Sequence, residues 1–259
     1  MKPIELSEIP LEIKSFIPTI DSTKFPSQGY TSDVIILEAY TEKYVLKRTK
    51  GELNCSLLKK EAMNLDILFR QNKISIPKVH VFVEKNPMES WLLMECLEGE
   101  TIRSALFNEK NKAKREEVLF NFGKALSEIH HTSCPPAFKN ETNWLSHMLC
   151  LAEDNFKNLQ VDGNKELLEK IITQPLDIEN QTLIHSDFTI DNVLVQDGII
   201  SRIIDWGNAA YGDPRFDLSL AIRPKPNAFQ EETDKLVFFN PGYWLSGPRP
   251  DDAGYVLSL

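Results

Sequence analysis

The sequence predicts an α+β chain in two lobes, the first an antiparallel five-stranded sheet with one helix, the second mainly helical. Three observations carry the prediction. First, segments rich in β-branched and aromatic residues recur early, at Lys24–Asp33, Val34–Tyr40, Lys43–Thr49, Val79–Val83 and Trp91–Cys96. One helical period interrupts them, where Leu58, Ala62, Leu65 and Phe69 mark a buried face on a helix spanning Leu57–Asn72. Second, apolar residues beyond Gly99 recur at helical spacing, as in Val118, Phe122, Leu126 and Ile129. Third, short β-branched runs return at Val193–Val195 and Ile199–Ile204, joined by Asp197-Gly198, a dipeptide suited to a hairpin turn whose two central residues take positive φ. The boundary is expected at Gly99, giving lobes of residues 1–98 and 99–259.

At 259 residues the chain can bury a sizeable core, and 42% hydrophobic with 26% charged residues is an ordinary globular composition. There is no apolar run near about 20 residues, the length that spans a membrane. The opening MKPIELSEIP lacks the apolar centre of a signal peptide, so a cytoplasmic protein without a membrane partner is expected. Cys55, Cys96, Cys134 and Cys150 show no C-x-x-C spacing and read as free thiols in a reducing compartment. The net charge of −9 argues against nucleic acid as a partner, because neutralising phosphates takes a basic surface. That charge is uneven. Residues 1–99 hold 14 acids against 13 bases, whereas residues 100–259 hold 24 against 16. The second half would attract a cationic acceptor, or simply present a solvated acidic surface.

Taken in order, Ile4 to Ile17 suggests a short helix packed on the first lobe. Ser27 to Ser32 then forms a small-residue loop between the first two strands, with Ser27, Gly29 and Ser32 able to approach a phosphate; a plain hairpin turn fits as well. Lys47 lies on the strand after that loop, and Glu61 sits beside Ala62 at the border of the buried helical face. The polar stretch Glu84–Glu89 reads as a hairpin loop, and Met94-Glu95-Cys96-Leu97-Glu98-Gly99 closes the last strand. In the second lobe His130 and His131 end a core helix, where a histidine usually satisfies a hydrogen bond or complements the helix dipole. Two more helices are expected at Trp144–Leu159 and Lys165–Ile172.

The chemistry concentrates in Leu183–Leu218. An apolar run ends on His185, Asp187 follows, Asn192 comes five positions later, and a second apolar run delivers Asp205 ahead of Trp206-Gly207. The Asp197-Gly198 hairpin would bring Asn192 and Asp205 to its open end. Magnesium takes hard oxygen ligands, so an amide oxygen, a carboxylate and nucleotide phosphates suit it. Asp187 would then stand ready to take a proton from a hydroxyl.

This stretch resembles the aminoglycoside phosphotransferase and choline kinase group of small-molecule kinases, whose pattern runs H-G-D-x-x-x-x-N, then I-D-W, then G-D-P-x-x-D-L. Gly212, Asp213, Pro214, Asp217 and Leu218 match the last segment, and Ser186 replaces the usual glycine of the first. The resemblance implies a two-lobed protein-kinase-like fold that uses ATP, with GTP left open, and Mg2+. It implies Asp187 as catalytic base and Asn192 and Asp205 as metal ligands. Lys47, held by Glu61, would sit on the nucleotide phosphates. Ser27, Gly29 and Ser32 would lie in the phosphate-covering loop, and the Glu95 C=O and Leu97 N–H would meet the adenine edge. His185 would brace the loop, while Asp213 and Asp217 would serve as scaffold at a helix N-terminus. The implied acceptor is a small-molecule hydroxyl on an aminoglycoside-like antibiotic, a choline-like amino alcohol or a sugar. A nucleotide-binding, pseudokinase-like protein with little turnover stays open as the alternative. The group usually continues after Leu218 with several helices, whereas Pro241–Leu259 here is rich in proline and glycine, so a shortened second lobe is expected.

Overall fold

Alternation along its strands gives the first sheet two differently covered faces. The computed structural model describes residues 4–26, 31–71, 73–139, 143–158, 163–174, 178, 180–223, 229 and 232–239. Two units divide them: the described residues of Met1–Gly99 with Arg202–Asn208, and those of Glu100–Ser201 with Ala209–Leu259.

In the first unit a 3-10 turn, Leu6–Glu8, precedes α1 (Leu11–Phe16). The sheet is built from β1 (Ser22–Lys24), β2 (Asp33–Ala39), β3 (Glu42–Lys50), β4 (Val79–Asn86) and β5 (Glu89–Glu95), with α2 (Glu52–Gln71) between β3 and β4. The strands are antiparallel in the order β1-β2-β3-β5-β4. On one face Tyr44 and Leu46 of β3 join Ile35, Leu37, Trp91 and Leu93, and the isoleucines at 4, 9, 13 and 17 pack against them. That spacing of the four isoleucines places them all on the sheet side of the N-terminal segment. Arg48 ends this face fully buried, paired with Glu8 and Asp33 at 2.7 Å each and lying over the Trp91 ring. A buried guanidinium needs such partners to offset its desolvation. Lys47 and Thr49 alternate to the other face, where they bond to Glu61 and Cys55 of α2.

Two sequence expectations require correction here. The helix starts five residues earlier than expected, at Glu52, after Gly51 at φ 93. Its buried stripe runs Cys55, Leu58, Glu61, Ala62, Asn64, Leu65, Leu68, and Phe69 is 45% exposed. The stripe advances three residues from Leu65 instead of four, so Phe69 is rotated about 100° past Leu68 and leaves the core. The Glu84–Glu89 loop is also shorter than expected. The strands run to Asn86 and resume at Glu89, and the Met88 N–H bonds Asn86 Oδ1 at 2.8 Å in an Asx turn. β4 is an edge strand with an exposed end, so Glu84 and Lys85 stay solvated without breaking the ladder.

The second unit follows as β6 (Glu100–Thr101), α3 (Ile102–Asn108), α4 (Lys112–His131), α5 (Pro136–Lys139), α6 (Trp144–Asn158), α7 (Lys165–Thr173) and β7 (Thr182–Ile184). Next come β8 (Val193–Gln196), β9 (Ile199–Ile203), β10 (Ala210–Gly212), α8 (Pro214–Ile222) and α9 (Glu232–Phe239); the end of β9 leads into the first unit. β8 lies between β6 and β9, and β7 pairs antiparallel with β10. The β8–β9 turn has Asp197 at φ 52 and Gly198 at φ 78, the two positive values expected of that dipeptide. Asn111 caps α4, accepting from the Ala113 and Lys114 N–H groups. Val118, Leu119, Phe122, Leu126 and Ile129 form its buried face. Phe122 stacks on Phe188 at 4.8 Å and meets Phe238 of α9 at 5.2 Å. A Cβ at Gly123 would run into the Phe238 carbonyl, so glycine is what lets α9 lie this close to α4.

Gly212 has a similar role in the β7–β10 pair. An added Cβ would strike Ile184 Cδ1 and stand 2.8 Å from the Trp144 ring. Gly212→Ala is therefore expected to destabilise the protein by about 1–3 kcal/mol, the usual cost of overpacking. A lower urea midpoint with an unchanged slope would show it, and an unchanged midpoint would refute the packing role. All four cysteines are free. Among the described residues no helix is long and apolar enough to cross a membrane. Pro241–Leu259, expected to form a shortened end, lies outside the described residues.

Candidate active site

Three predicted residues meet in the first unit. Strand alternation points Lys47 toward α2, and its Nζ donates to Glu61 Oε1 at 2.7 Å and to Asp205 Oδ1. Burial alone would push the Lys47 ammonium down, but the charges of Glu61 and Asp205 outweigh it and hold the group well above its ordinary value. Burial pushes the Glu61 carboxyl up; Lys47 opposes this, and the like charge of Asp205 adds to it. The ammonium is thus fixed as a cation between two carboxylates. Asp205 remains 43% exposed at its side chain, whereas Lys47 and Glu61 are largely enclosed.

Asp205 sits at φ 62, in the left-handed region. The following Trp206–Asn208 forms a 3-10 turn that packs on α2. Asn64, one turn beyond Glu61 on the buried stripe, donates from Nδ2 to the carbonyls of Trp206 at 2.9 Å and Gly207 at 3.2 Å. The Trp206 indole N–H donates to Ile203 O at 3.0 Å. Asn64 escaped the sequence reading. Its signal is an asparagine inside a helix on the apolar stripe, a position that leaves a polar side chain needing a tertiary partner.

The second unit holds the loop between β7 and β8. Ser186 takes φ 62, where the related pattern has glycine. Asp217 of α8, fully buried, accepts from the backbone N–H of His185 and of Ser186 at 2.7 Å each, while His130 Nε2 lies 3.2 Å from its Oδ2. The Asp187 N–H donates to His185 Nδ1 at 3.2 Å. Asn192 Nδ2 donates to the Asp187 carbonyl at 2.9 Å and to Asp187 Oδ2 at 2.8 Å. Both amide hydrogens thus go to Asp187, leaving Asn192 Oδ1 as the amide's acceptor. Asp213 caps α8, accepting from the Arg215 N–H at 2.9 Å and pairing with its guanidinium. Arg103 extends the frame. Its guanidinium is bidentate on Asp191, and its N–H donates to Ile190 O at 3.1 Å, gripping the residues just before Asn192.

The remaining predicted contacts fall at the sheet ends of the first unit. Ser32 is buried just ahead of β2; Ser27 and Gly29 lie outside the described residues. Glu95 closes β5, with its N–H donating to Lys78 O at 2.9 Å, and Leu97 follows half-buried. Asn192 in the second unit offers an amide oxygen and Asp205 in the first a carboxylate, each a hard ligand of the kind Mg2+ takes.

Comparison with known proteins identifies the family. Residues 22–243 match the phosphotransferase enzyme family. An aminoglycoside 3'-phosphotransferase of Enterococcus faecalis is 24% identical over 248 residues, 93% of this chain and 92% of that protein. Another, of Niallia circulans, is 25% identical over 195 residues, 72% of each chain. The crystal structure of a type VIII aminoglycoside 3'-phosphotransferase superimposes with a TM-score of 0.73 at 16% identity, over 95% of this chain and 96% of that one. Spectinomycin phosphotransferase, solved with ADP and spectinomycin, gives 0.69 at 18% identity, over 99% and 85%. At such identities the solved structures speak for the fold, while the family match spans most of the sequence. With its kinase-like α+β fold, the chain belongs to the phosphotransferase enzyme family.

Proposed function

We propose that the protein transfers the γ-phosphate of ATP to a hydroxyl of a small molecule, an aminoglycoside-like antibiotic ahead of a choline-like amino alcohol or a sugar. The order follows the aminoglycoside 3'-phosphotransferases among its relatives. The supporting observation is the loop from His185 to Asn192, in which Asp187 is held through its carbonyl and one carboxylate oxygen by Asn192. A carboxylate so fixed can orient an acceptor hydroxyl and take its proton. The acceptor oxygen then bonds to phosphorus as the bond to the bridging oxygen of ADP breaks, and the proton passes to Asp187.

Lys47, kept cationic by Glu61 and Asp205, would neutralise charge on the nucleotide phosphates. Ser32, with Ser27 and Gly29, would cover them, and Glu95 and Leu97 would offer backbone groups to the adenine. Mg2+, bound through Asn192 and Asp205, would neutralise the phosphate oxygens and polarise the group being transferred. ATP is the expected donor, and a hydroxyl-bearing small molecule the expected partner.

The test is turnover of purified protein with Mg–ATP against aminoglycosides, choline-type amino alcohols and sugars, with phosphorylated product read by mass spectrometry. Product from an antibiotic hydroxyl supports the proposal; nucleotide binding without product from any acceptor would favour the pseudokinase-like alternative. A second expectation concerns the metal. Asp205→Ala should weaken Mg2+-dependent ATP binding by at least about 10-fold, the lower end for disturbing a metal site's support. Titration calorimetry with and without Mg2+ checks this, and an unaltered metal dependence would place the ion elsewhere.

A further inference from the structure

We infer that the Ser186 hydroxyl is a hydrogen-bond donor to the phosphoryl group being transferred, and that it favours nucleotides carrying a γ-phosphate. The inference rests on the proposed role of the His185–Asn192 loop. Two features of Ser186 have no account in the scaffold. Its φ of 62 lies where a side chain bearing a Cβ is disfavoured. Its Oγ is buried with no hydrogen-bond partner among the described residues. Glycine in the same place would avoid both costs.

The neighbouring donors make the hydroxyl stand out. The N–H groups of His185 and Ser186 are taken by Asp217, and that of Asp187 by His185 Nδ1. The N–H groups of residues 185 to 187 are therefore all taken, whereas the Ser186 hydroxyl beside them has no partner among the described residues. No bond holds that hydroxyl in its rotamer, so rotation about χ1 can exchange a buried, unsatisfied position for one on a ligand. An anionic phosphoryl group presents three acceptor oxygens, and it must lie next to the hydroxyl from which Asp187 takes a proton. Local backbone strain beside a reacting group is where such function concentrates.

Calorimetric titration of the whole protein with Mg–ADP and with the Mg complex of the β,γ-imido analogue of ATP tests this without knowledge of the acceptor. Ser186→Ala is expected to lower affinity for the imido analogue by about 10-fold, as for a lost hydrogen bond to a charged group, and to leave ADP affinity unchanged. Ser186→Gly should show the same selective loss with a raised unfolding midpoint, because glycine relieves the left-handed backbone. Unchanged affinities in both variants, or equal losses for both nucleotides, would overturn the inference. Asp187→Asn in parallel separates the two proposals. If it still turns over while the Ser186 variants lose the selective contact, the base assignment fails and the Ser186 donor stands. If the unaltered protein binds neither nucleotide, both fail.

Discussion

Asp187→Asn is expected to lower kcat by about 10²- to 10⁴-fold, the contribution of a positioned base, while ATP affinity stays almost unchanged. The substitution is nearly isosteric. The Asp187 carbonyl still accepts from Asn192 Nδ2, and the Asp187 N–H still reaches His185 Nδ1, so the loop keeps its backbone bonds. What disappears is the capacity to receive a proton. Steady-state kinetics with any acceptor found in the panel, together with calorimetric ATP titration, checks both halves. Undiminished kcat would remove Asp187 from the base role, and a parallel loss of ATP affinity would show that the change had disturbed the site as a whole.

Asp217→Ala should produce the largest loss of stability, about 3–5 kcal/mol, the range for removing one member of a buried charged network. The carboxylate is fully buried and accepts two backbone N–H bonds at 2.7 Å, with His130 Nε2 close to one oxygen. Alanine would take the acceptor from both N–H groups at a fully buried position. Urea unfolding would report a midpoint shift, and kcat should fall too because the freed loop carries Asp187. Asp217→Asn keeps one acceptor oxygen but turns a donor toward an N–H, so an intermediate loss is expected. Wild-type stability in the alanine variant would mean that the two hydrogen bonds contribute nothing net.

Local patterns were sufficient for much of the architecture. Runs of β-branched and aromatic residues located four of the five strands, whereas β1 lies at Ser22–Lys24, ahead of the expected Lys24–Asp33 segment, because it is set by pairing with β2 and not by a run of its own. The spacing of Val118, Phe122, Leu126 and Ile129 located α4 and its buried face. Asp197-Gly198 specified the β8–β9 hairpin because both residues tolerate positive φ, a property of those two residues and not of their surroundings. Asp213 before Pro214 announced the start of α8 for the same kind of reason: a short acceptor side chain satisfies an exposed N–H within its own turn. The intervals between His185, Asp187, Asn192 and Asp205 carry the proposed site, since a motif held together by one loop and one hairpin is written in consecutive residues.

Only the tertiary structure decided the rest. Whether Leu68 or Phe69 closes the stripe of α2 depends on which sheet residues it meets, and a helical period alone allows both. Asn64 looks like a weak point in a helix until the Trp206 and Gly207 carbonyls supply its partners from far along the chain. Lys47 and Asp205 are 158 positions apart, so no local pattern could show that one ammonium is shared by two carboxylates. Asp217 likewise reads as a first-turn acid of α8, but it holds the two N–H groups ahead of Asp187. Sequence determines φ preferences and burial periods because these act within a few residues. Buried polar groups choose partners only when folding excludes water, and that choice belongs to the assembled structure.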